Sequence, residues 1–357
     1  MDNNCRGKEK PVKTHRELAL LWASEIEDTV ISHRRALHQI PELGEELPMT
    51  TAYITTALDN MKLPYYRTSN GGIVAQVDGK EGGGVLAIRA DMDALPIKEE
   101  TNLPFQSTNE NMHACGHDAH TAILLATLAS LAEHRTQWTG KVIGLFQPAE
   151  ETSGGAEKMI QEGALDRVPV DAVIGLHIGS IFPTVKGGNI GLRRGPMMAS
   201  VDSFYVEITG RGGHGARPHE CKDPIVAMSA MILSLQQIVS RNISPVHSGV
   251  ISVGTAHAGT IVNVIPEKAN FAATVRTLDE EDRRLIENRV CDVIAGVARA
   301  YDVKTAIDYK HFYPSLQNDP AVTQFVEEQA RELFGEEAVT QIEEPSMGTE
   351  DFSYYTL

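Results

Sequence analysis

The run Val85-Leu-Ala-Ile-Arg89 is almost continuously apolar, and two runs of the same kind follow it, Val142-Ile-Gly-Leu-Phe146 and Ala172-Val-Ile-Gly-Leu176. Strands of a parallel sheet are buried on both faces and show such unbroken apolar runs. A stretch with helical spacing, from about residue 118 to 134, separates the first two runs. Strands that alternate with helices predict an α/β domain with a mostly parallel sheet.

A second pattern begins after the glycine-rich segment 187–196, where Ser203-Phe-Tyr-Val-Glu-Ile-Thr209 alternates as an antiparallel strand does. Two helices (about Pro224–Ser240 and Glu280–Ala300) and three further strands (Val250–Thr255, Lys268–Thr277 and Val303–Tyr309) complete a β-α-β-β-α-β (ferredoxin-like) order. We therefore predict two domains, the smaller one inserted into the larger. The predicted segments are 15–197 (first part of the α/β domain), 198–310 (inserted domain) and 311–357 (return to the α/β domain).

Length, charge and cysteine content limit the class of protein. A chain of 357 residues is too long for one core and suits two domains. The formal net charge of −16 argues against a nucleic-acid partner or an anionic membrane surface. Four widely spaced cysteines, and a polar N-terminus without a signal-peptide pattern, predict a reduced, cytoplasmic protein.

Cys115-Gly-His117 places a thiol and an imidazole two residues apart at the start of an apolar helix. Thiolate and neutral imidazole are good ligands for borderline-soft divalent metals, so the pair predicts part of a zinc-type site. A catalytic metal needs further ligands. Side chains able to serve one follow all three buried strands: Asp91, Asp93, Glu150, Glu151 and His177.

In open α/β sheets, ligands gather outside the carboxyl ends of the strands, so we expect these side chains to converge near Cys115 and His117. Of two adjacent glutamates, one can ligate a metal while its neighbour takes the proton of a metal-bound water as general base and returns it as acid. Asp93 is suited to orient a ligand imidazole through its other nitrogen.

Taken singly, each of these residues has a plainer interpretation. A lone cysteine on a helix is usually a small core residue, a lone histidine after a strand is usually structural, and adjacent glutamates are usually solvated. The metal hypothesis depends on their combined occurrence at the strand ends.

Four motifs give a resemblance to a known family: Asp91-Met-Asp-Ala-Leu-Pro96, His113-Ala-Cys-Gly-His-Asp-Ala-His-Thr121, Gln147-Pro-Ala-Glu-Glu151 and Leu176-His177. In type and order they resemble the amidohydrolase branch of the aminoacylase/carboxypeptidase metallopeptidases. This branch includes hippurate hydrolases, N-acyl-amino-acid amidohydrolases and auxin-conjugate hydrolases.

The resemblance implies a centre of two divalent metals, Zn or Mn, with Ni or Co as alternatives. It implies Cys115 as a bridging ligand, with His117, Glu151 and His177 as further ligands, and Glu150 as the catalytic base. Asp91 stands where peptidase relatives carry a ligand histidine, and we leave it out of the ligand set. The neighbouring residues His113, Asp118 and His120 receive no ligand role, and hydrogen-bonded support, or helix capping by Asp118, is the favoured interpretation.

The inserted domain resembles the family's lid through Gly210-Arg-Gly-Gly-His214-Gly-Ala-Arg-Pro-His219. The resemblance implies that His214 stabilises an oxyanion. It also implies that Asn263 and Arg276 grip the carboxylate of an N-acyl amino acid, and that the lid forms a homodimer or higher homo-oligomer. As isolated residues, all three would more often be structural.

The end of the chain departs from the family pattern. Relatives carry one more ligand histidine beyond a segment like Gly348-Thr-Glu-Asp-Phe352, whereas the last histidine here is His311. We therefore expect a C-terminally truncated chain with a weak second metal site.

The sequence thus predicts a metal-dependent hydrolase of small-molecule N-acyl amino acids or similar amides, with metal-bound hydroxide as nucleophile. Two alternatives stay open at this point. One is a peptidase acting on dipeptides or free carboxyl termini, which the bridging cysteine disfavours. The other is a truncated or degenerate homologue that binds metal or ligand without efficient catalysis.

Overall fold

The computed structural model describes residues 14–179 and 181–357, which divide into two compact units. Unit 1 contains the described residues up to 179, together with Val185–Ile190 and Phe325–Thr340. Unit 2 contains Gly191–Gln324, together with Ile181–Thr184 and Gln341–Leu357. The N-terminal residues for which the sequence predicts no signal peptide lie almost entirely outside the described ranges.

Unit 1 carries the α/β layer. Its elements are α1 (His15–His38), α2 (Pro48–Met61), β1 (Tyr65–Arg67), β2 (Ile73–Asp78), β3 (Lys80–Asp91), α3 (His117–Glu133), β4 (Thr139–Gln147), α4 (Gly155–Gln161) and β5 (Ala172–Gly175). The sheet order is β1-β2-β4-β3-β5. The three strands predicted from their apolar runs, β3, β4 and β5, are parallel, whereas β1 and β2 join antiparallel. The prediction of a mostly parallel sheet therefore holds for the side formed by β4, β3 and β5, and the sheet as a whole is mixed.

Burial of apolar side chains holds this layer together. Helix α3 and strands β2 and β4 share one core, in which Leu125, Leu128 and Phe146 are fully buried. Burial of apolar surface stabilises the fold by about 25 cal/mol per Å², so each such side chain contributes about 1.5–3 kcal/mol to stability. Helix α1 begins with a capping box, in which Thr14 and Glu17 satisfy each other's backbone N–H groups.

The remaining elements follow in chain order. They are β6 (Ile190–Leu192), β7 (Gly195–Met198), β8 (Asp202–Thr209), β9 (Gly213–His214), α5 (Pro224–Arg241), β10 (Gly249–Ala258), β11 (Val264–Ile265), β12 (Lys268–Thr277), α6 (Glu280–Tyr301), β13 (Lys304–His311), β14 (Leu316–Asn318), α7 (Pro320–Phe334) and β15 (Val339–Gln341).

Unit 2 is built around an antiparallel sheet of order β10-β12-β8-β13. Helices α5 and α6 begin at the N-caps Asp223 and Asp279, and their apolar faces share one core with the sheet. The chain order β8-α5-β10-β12-α6-β13 is the predicted β-α-β-β-α-β succession. Within this unit the buried carboxylate of Asp202 is paired with the guanidinium of Arg283.

Several elements of unit 1 are absent from the predictions made above, among them α2, α4, β1 and β2. Their sequences carry weak signals, since α2 is rich in threonine and β1 has only three residues. Over the described ranges, the structure contains no helix that is both long enough and apolar enough to cross a membrane.

Candidate metal centre and active site

The carboxyl ends of the three parallel strands meet at one edge of the sheet. Asp91 pairs in register with Gln147, and Arg89 pairs with Gly175, two residues before His177. The predicted convergence of the strand-end side chains therefore has a direct cause in the strand register.

The start of α3 brings Cys115 and His117 to this edge. Gly116, the N-cap, adopts φ +91°, a left-handed conformation that favours glycine. A Cβ at this position would also lie 2.7 Å from the Cγ1 atom of Ile178. The helix begins at His117, so Asp118 lies in the first turn and is not the N-cap, which corrects the capping interpretation.

Three donors predicted as ligands lie together in unit 1. The Sγ atom of Cys115 is 3.4 Å from Nε2 of His177, and donor atoms of Cys115, His117 and His177 all lie within 4.8 Å of one another. His117 also belongs to a second such group with Glu150 and Glu151. One imidazole therefore stands between a thiol–imidazole pair and a pair of carboxylates, a donor set suited to divalent metals.

Asp93 fixes the position of both glutamates. Its Oδ1 accepts the backbone N–H of Glu150 and its Oδ2 accepts that of Glu151, each at 3.1 Å. The same Oδ1 lies 3.5 Å from Nδ1 of His117. Asp93 is only 1% exposed, so it links the glutamate loop and the imidazole from a buried position.

The charges of these groups are strongly coupled. Burial by itself lowers the pKa of His117, but the carboxylates of Asp91 and Asp93 outweigh it and raise that pKa well above its usual value. Burial raises the pKa values of the Cys115 thiol and the Glu151 carboxyl, while nearby His117 acts in the opposite direction on both. Since metal ligands bind in their deprotonated form, a bound cation competes with protons for these donors.

A metal fits the unsatisfied polar atoms of this site. Within the described ranges, neither ring nitrogen of His117 nor Oε1 of Glu151 has a hydrogen-bond partner, although all three atoms are buried. Buried polar atoms without partners are costly and rare in native proteins. Coordination of a divalent ion would satisfy Oε1 of Glu151 and one ring nitrogen of His117, while Nδ1 of that ring lies 3.5 Å from Oδ1 of Asp93.

Two buried networks near the site were not predicted in detail. In the first, Asp91 accepts hydrogen bonds from Arg89 and His120. His120 follows His117 by three residues, so helical spacing on α3 was the available signal. The second network joins α1 to the start of α3. Asp118 accepts from Nδ1 of His38 at 2.7 Å and pairs with Arg34 at 2.9 Å.

His113 is buried beside the second network. Within the described residues its two ring nitrogens have no hydrogen-bond partner, and burial lowers its pKa to about 4. It therefore stays neutral at pH 7.

Unit 2 holds the other predicted residues. His214 is exposed on β9, and Val264 of β11 pairs with it in register. The backbone N–H of Ala216 donates to Nδ1 of His214, so the neutral ring carries its proton on Nε2. The carbonyl oxygen of Asn263 accepts from the N–H of Gly215 at 2.8 Å, which places Asn263 beside His214.

Arg276 lies on β12 and is partly buried. Burial lowers the pKa of its guanidinium. Among the described residues no carboxylate pairs with it, which leaves its donors available to an anion.

Comparison with known proteins identifies the family. The model of "Peptidase family M20/M25/M40" matches residues 87–357. The chain belongs to this family. The resemblance seen in the four motifs is thereby confirmed, and so are the α/β fold class and the enzyme class, a metal-dependent amidohydrolase.

Several relatives are similar over most of the chain. N-acetyl-L-cysteine deacetylase of Bacillus subtilis is 42% identical over 93% of this chain and 78% of its own length. Hippurate hydrolase of Campylobacter jejuni is 39% identical over 90% of this chain and 83% of its own length. The crystal structure of the Bacillus subtilis YXEP protein, a dinuclear metal binding peptidase of the M20 family, matches with a TM-score of 0.80 and 36% identity. The match covers 93% of this chain and 86% of the YXEP chain.

Proposed function

We propose that this protein hydrolyses the amide bond of an N-acyl amino acid or a similar small amide. The observation that carries the proposal is the proximity, within unit 1, of the Cys115–His117–His177 donor group and the adjacent glutamates anchored by Asp93. Relatives 39–42% identical are named for N-acetylcysteine and hippurate, which are both N-acyl amino acids. This shared chemistry supports the substrate class.

Cys115, His117, Glu151 and His177 would hold the metal, and we infer two divalent ions, Zn or Mn, with Ni or Co as alternatives. When bound, such ions polarise a carbonyl oxygen and lower the pKa of water to about 7. The relative described as dinuclear supports the number of ions.

Glu150 would act as the general base and then the general acid. Its carboxylate takes a proton from the attacking water and delivers it to the nitrogen of the leaving amine. The hydrogen bond from its N–H to Asp93 fixes the backbone of Glu150, from which the carboxylate would serve both transfers.

We propose His214, Asn263 and Arg276, which lie in unit 2, as substrate-binding groups. Because Nδ1 of His214 accepts a hydrogen bond, its Nε2–H is the donor available to a developing oxyanion. Arg276, which pairs with no carboxylate among the described residues, suits the carboxylate of an N-acyl amino acid. We propose residues 198–310 as the lid and the surface of a homodimer, with 15–197 and 311–357 as the catalytic domain. The cytoplasmic location stays a prediction.

The test compares Glu150→Gln with a control, Glu157→Gln. Glu157 is an exposed glutamate close by in the chain, on α4. Both variants and the native chain are assayed for release of free amino acid from N-acetyl and N-benzoyl amino acids, and metal per chain is measured. We expect Glu150→Gln to lower kcat by about 10²–10⁴-fold at unchanged metal content, and Glu157→Gln to behave as the native chain.

Other outcomes separate the alternatives. Equal turnover by the native chain and Glu150→Gln would contradict the mechanism. Metal binding with no turnover of any substrate would favour a ligand-binding homologue, and faster cleavage of dipeptides would favour a peptidase. Two tightly bound ions per chain would contradict the expected weak second site.

A further inference from the structure

His120 is a buried imidazole beside the candidate centre that the proposed chemistry does not use. It lies on α3, is 2% exposed, and its ring centroid is 5.5 Å from that of His117 and 4.7 Å from that of His177. Donor atoms of Asp91, His117 and His120 also lie within 4.8 Å of one another. By distance alone, His120 is therefore a candidate for a further metal ligand.

Hydrogen bonds at both ring nitrogens exclude that role. The backbone N–H of Ile178 donates to Nε2 of His120 at 2.9 Å. A backbone N–H can only donate, so Nε2 is the acceptor and the ring proton is on Nδ1. Nδ1 in turn donates to Oδ1 of Asp91 at 2.5 Å. Neither nitrogen retains a lone pair for a metal.

Asp91 is a rigid anchor for this imidazole. Its Oδ2 accepts from Nη1 of Arg89 at 2.6 Å, and Nε of Arg89 donates to Gln147 at 2.9 Å. The backbone carbonyl of Asp91 accepts the hydroxyl of Thr121 at 2.9 Å. The ends of β3 and β4 therefore fix the carboxylate that orients His120.

Ile178 is held at its backbone and at its side chain. His120 accepts its N–H, and its Cγ1 occupies the space that a Cβ on Gly116 would need. Ile178 directly follows His177, and Gly116 directly follows Cys115. Both contacts therefore act next to the two residues whose Sγ and Nε2 atoms lie 3.4 Å apart.

We propose that His120 is a positioning residue that fixes the backbone after His177, and thereby keeps His177 opposite Cys115. The carboxylate–imidazole pair of Asp91 and His120 acts on a backbone N–H instead of on a ligand ring. The inference rests on the proposed function, because His177 is a ligand only in that proposal.

The test separates the two hydrogen bonds of His120 with two amide side chains. In His120→Asn the side-chain amide takes the place of Nδ1, so it donates to Asp91 and leaves Ile178 without an acceptor. In His120→Gln the longer side chain places its oxygen near Nε2, where it accepts from Ile178. Each metal-free full-length variant is titrated with Co²⁺ against a competing chelator. The visible d–d bands and the thiolate-to-cobalt band report the geometry and the cysteine ligand.

We expect His120→Asn to weaken Co²⁺ binding by about 10–100-fold and to alter the d–d bands, as loss of groups that orient ligands typically does. We expect His120→Gln to stay within about threefold of the native chain, since it retains the contact to Ile178. His134→Asn is the matched control at the C-cap of the same helix, because its Nδ1 bonds to the carbonyl oxygen of Ser130 and to none of the donors. It should bind Co²⁺ as the native chain does.

Two further variants make the outcome decisive. Ile178→Pro removes the N–H without changing His120, and we expect it to weaken Co²⁺ binding as His120→Asn does. It supplies the result if His120→Asn fails to fold. If His177→Ala weakens Co²⁺ binding while His120→Asn and Ile178→Pro do not, the positioning role is wrong and the ligand set stands. Equal losses in His120→Asn and His120→Gln would also overturn it. If His177→Ala binds Co²⁺ normally, the proposed ligand set itself fails.

Discussion

Replacement of His38 by phenylalanine tests whether the buried network between α1 and α3 stabilises unit 1. His38 is 2% exposed, and its ring bonds to Asp118 at 2.7 Å and to Glu99 at 3.2 Å. Hydrogen bonds to charged groups contribute about 1.5–3 kcal/mol each. In the variant Asp118 keeps its ion pair with Arg34, and Glu99 keeps the hydrogen bond from the N–H of Ser107. The two carboxylates therefore lose only part of their stabilisation. We expect His38→Phe to lower the free energy of unfolding by about 3 kcal/mol.

The unfolding free energy lost in His38→Phe should decrease as the pH rises. The hydrogen bond to Asp118 raises the pKa of His38, and Glu99 adds to it, against the opposing effects of burial and Arg34. A histidine whose pKa is raised on folding contributes its full stabilisation below its unfolded value of about 6.5, and loses it as the pH rises through the folded pKa. The difference in unfolding free energy between the native chain and His38→Phe should therefore be larger at pH 6 than at pH 9.

Urea unfolding followed by tryptophan fluorescence measures this difference for unit 1. The two tryptophans of the chain, Trp22 and Trp138, both lie in that unit. The measurement uses metal-free protein, because ions bound to the folded state would add to its apparent stability. With an m-value of about 2 kcal/mol/M, the urea midpoint should fall by about 1.5 M. His38→Gln, which keeps one donor, should lose about half as much. A difference under about 0.5 kcal/mol, or one of equal size at both pH values, would refute the reasoning.

Two other variants test the packing of each unit. Arg283→Met leaves the buried carboxylate of Asp202 without its charged partner and should cost unit 2 about 3–5 kcal/mol, measured by circular dichroism. Arg284→Met, on an exposed pair of the same helix, is the control and should change stability by under about 0.5 kcal/mol. Gly155→Ala places a Cβ 1.9 Å from a backbone carbonyl oxygen of the glutamate loop and should cost about 1–3 kcal/mol and weaken Co²⁺ binding. Gly187→Ala, where a Cβ meets nothing within 4 Å, should be neutral, and similar effects of the two alanines would contradict the packing argument.

Periodicity in the sequence predicted the elements that bury a continuous apolar face. β12 was predicted with the bounds Lys268–Thr277 that it has in the structure, and α5 and α6 end within one residue of the prediction. The pair β1 and β2 was missed, because β1 has only three residues and β2 depends on pairing with β4. The partner of β2 lies 60 or more residues away, a pairing that local patterns do not encode.

The candidate site was predicted as far as strand ends determine it. Cys115, His117, Glu150, Glu151 and His177 carry side chains whose type and place at a strand or helix end suggest metal chemistry, and the structure brings all five to one edge of unit 1. The tautomer of His120 could not be predicted, because it is set by a backbone N–H and no residue type signals that contact. The bond between His38 and Asp118 joins positions 80 residues apart, so only the folded chain reveals it.

The separation of the donors along the chain has a consequence for synthesis. Cys115 and His177 are 62 residues apart, and β5, which positions His177, is among the last strands of its sheet to be made. At about 5–20 residues per second, a ribosome needs about 3–12 s to add that interval. During this time the thiol of Cys115 lacks the imidazole of His177 beside it, and oxidants and stray ions can reach it. We therefore expect metal loading at the proposed site to follow the pairing of β5 with β3.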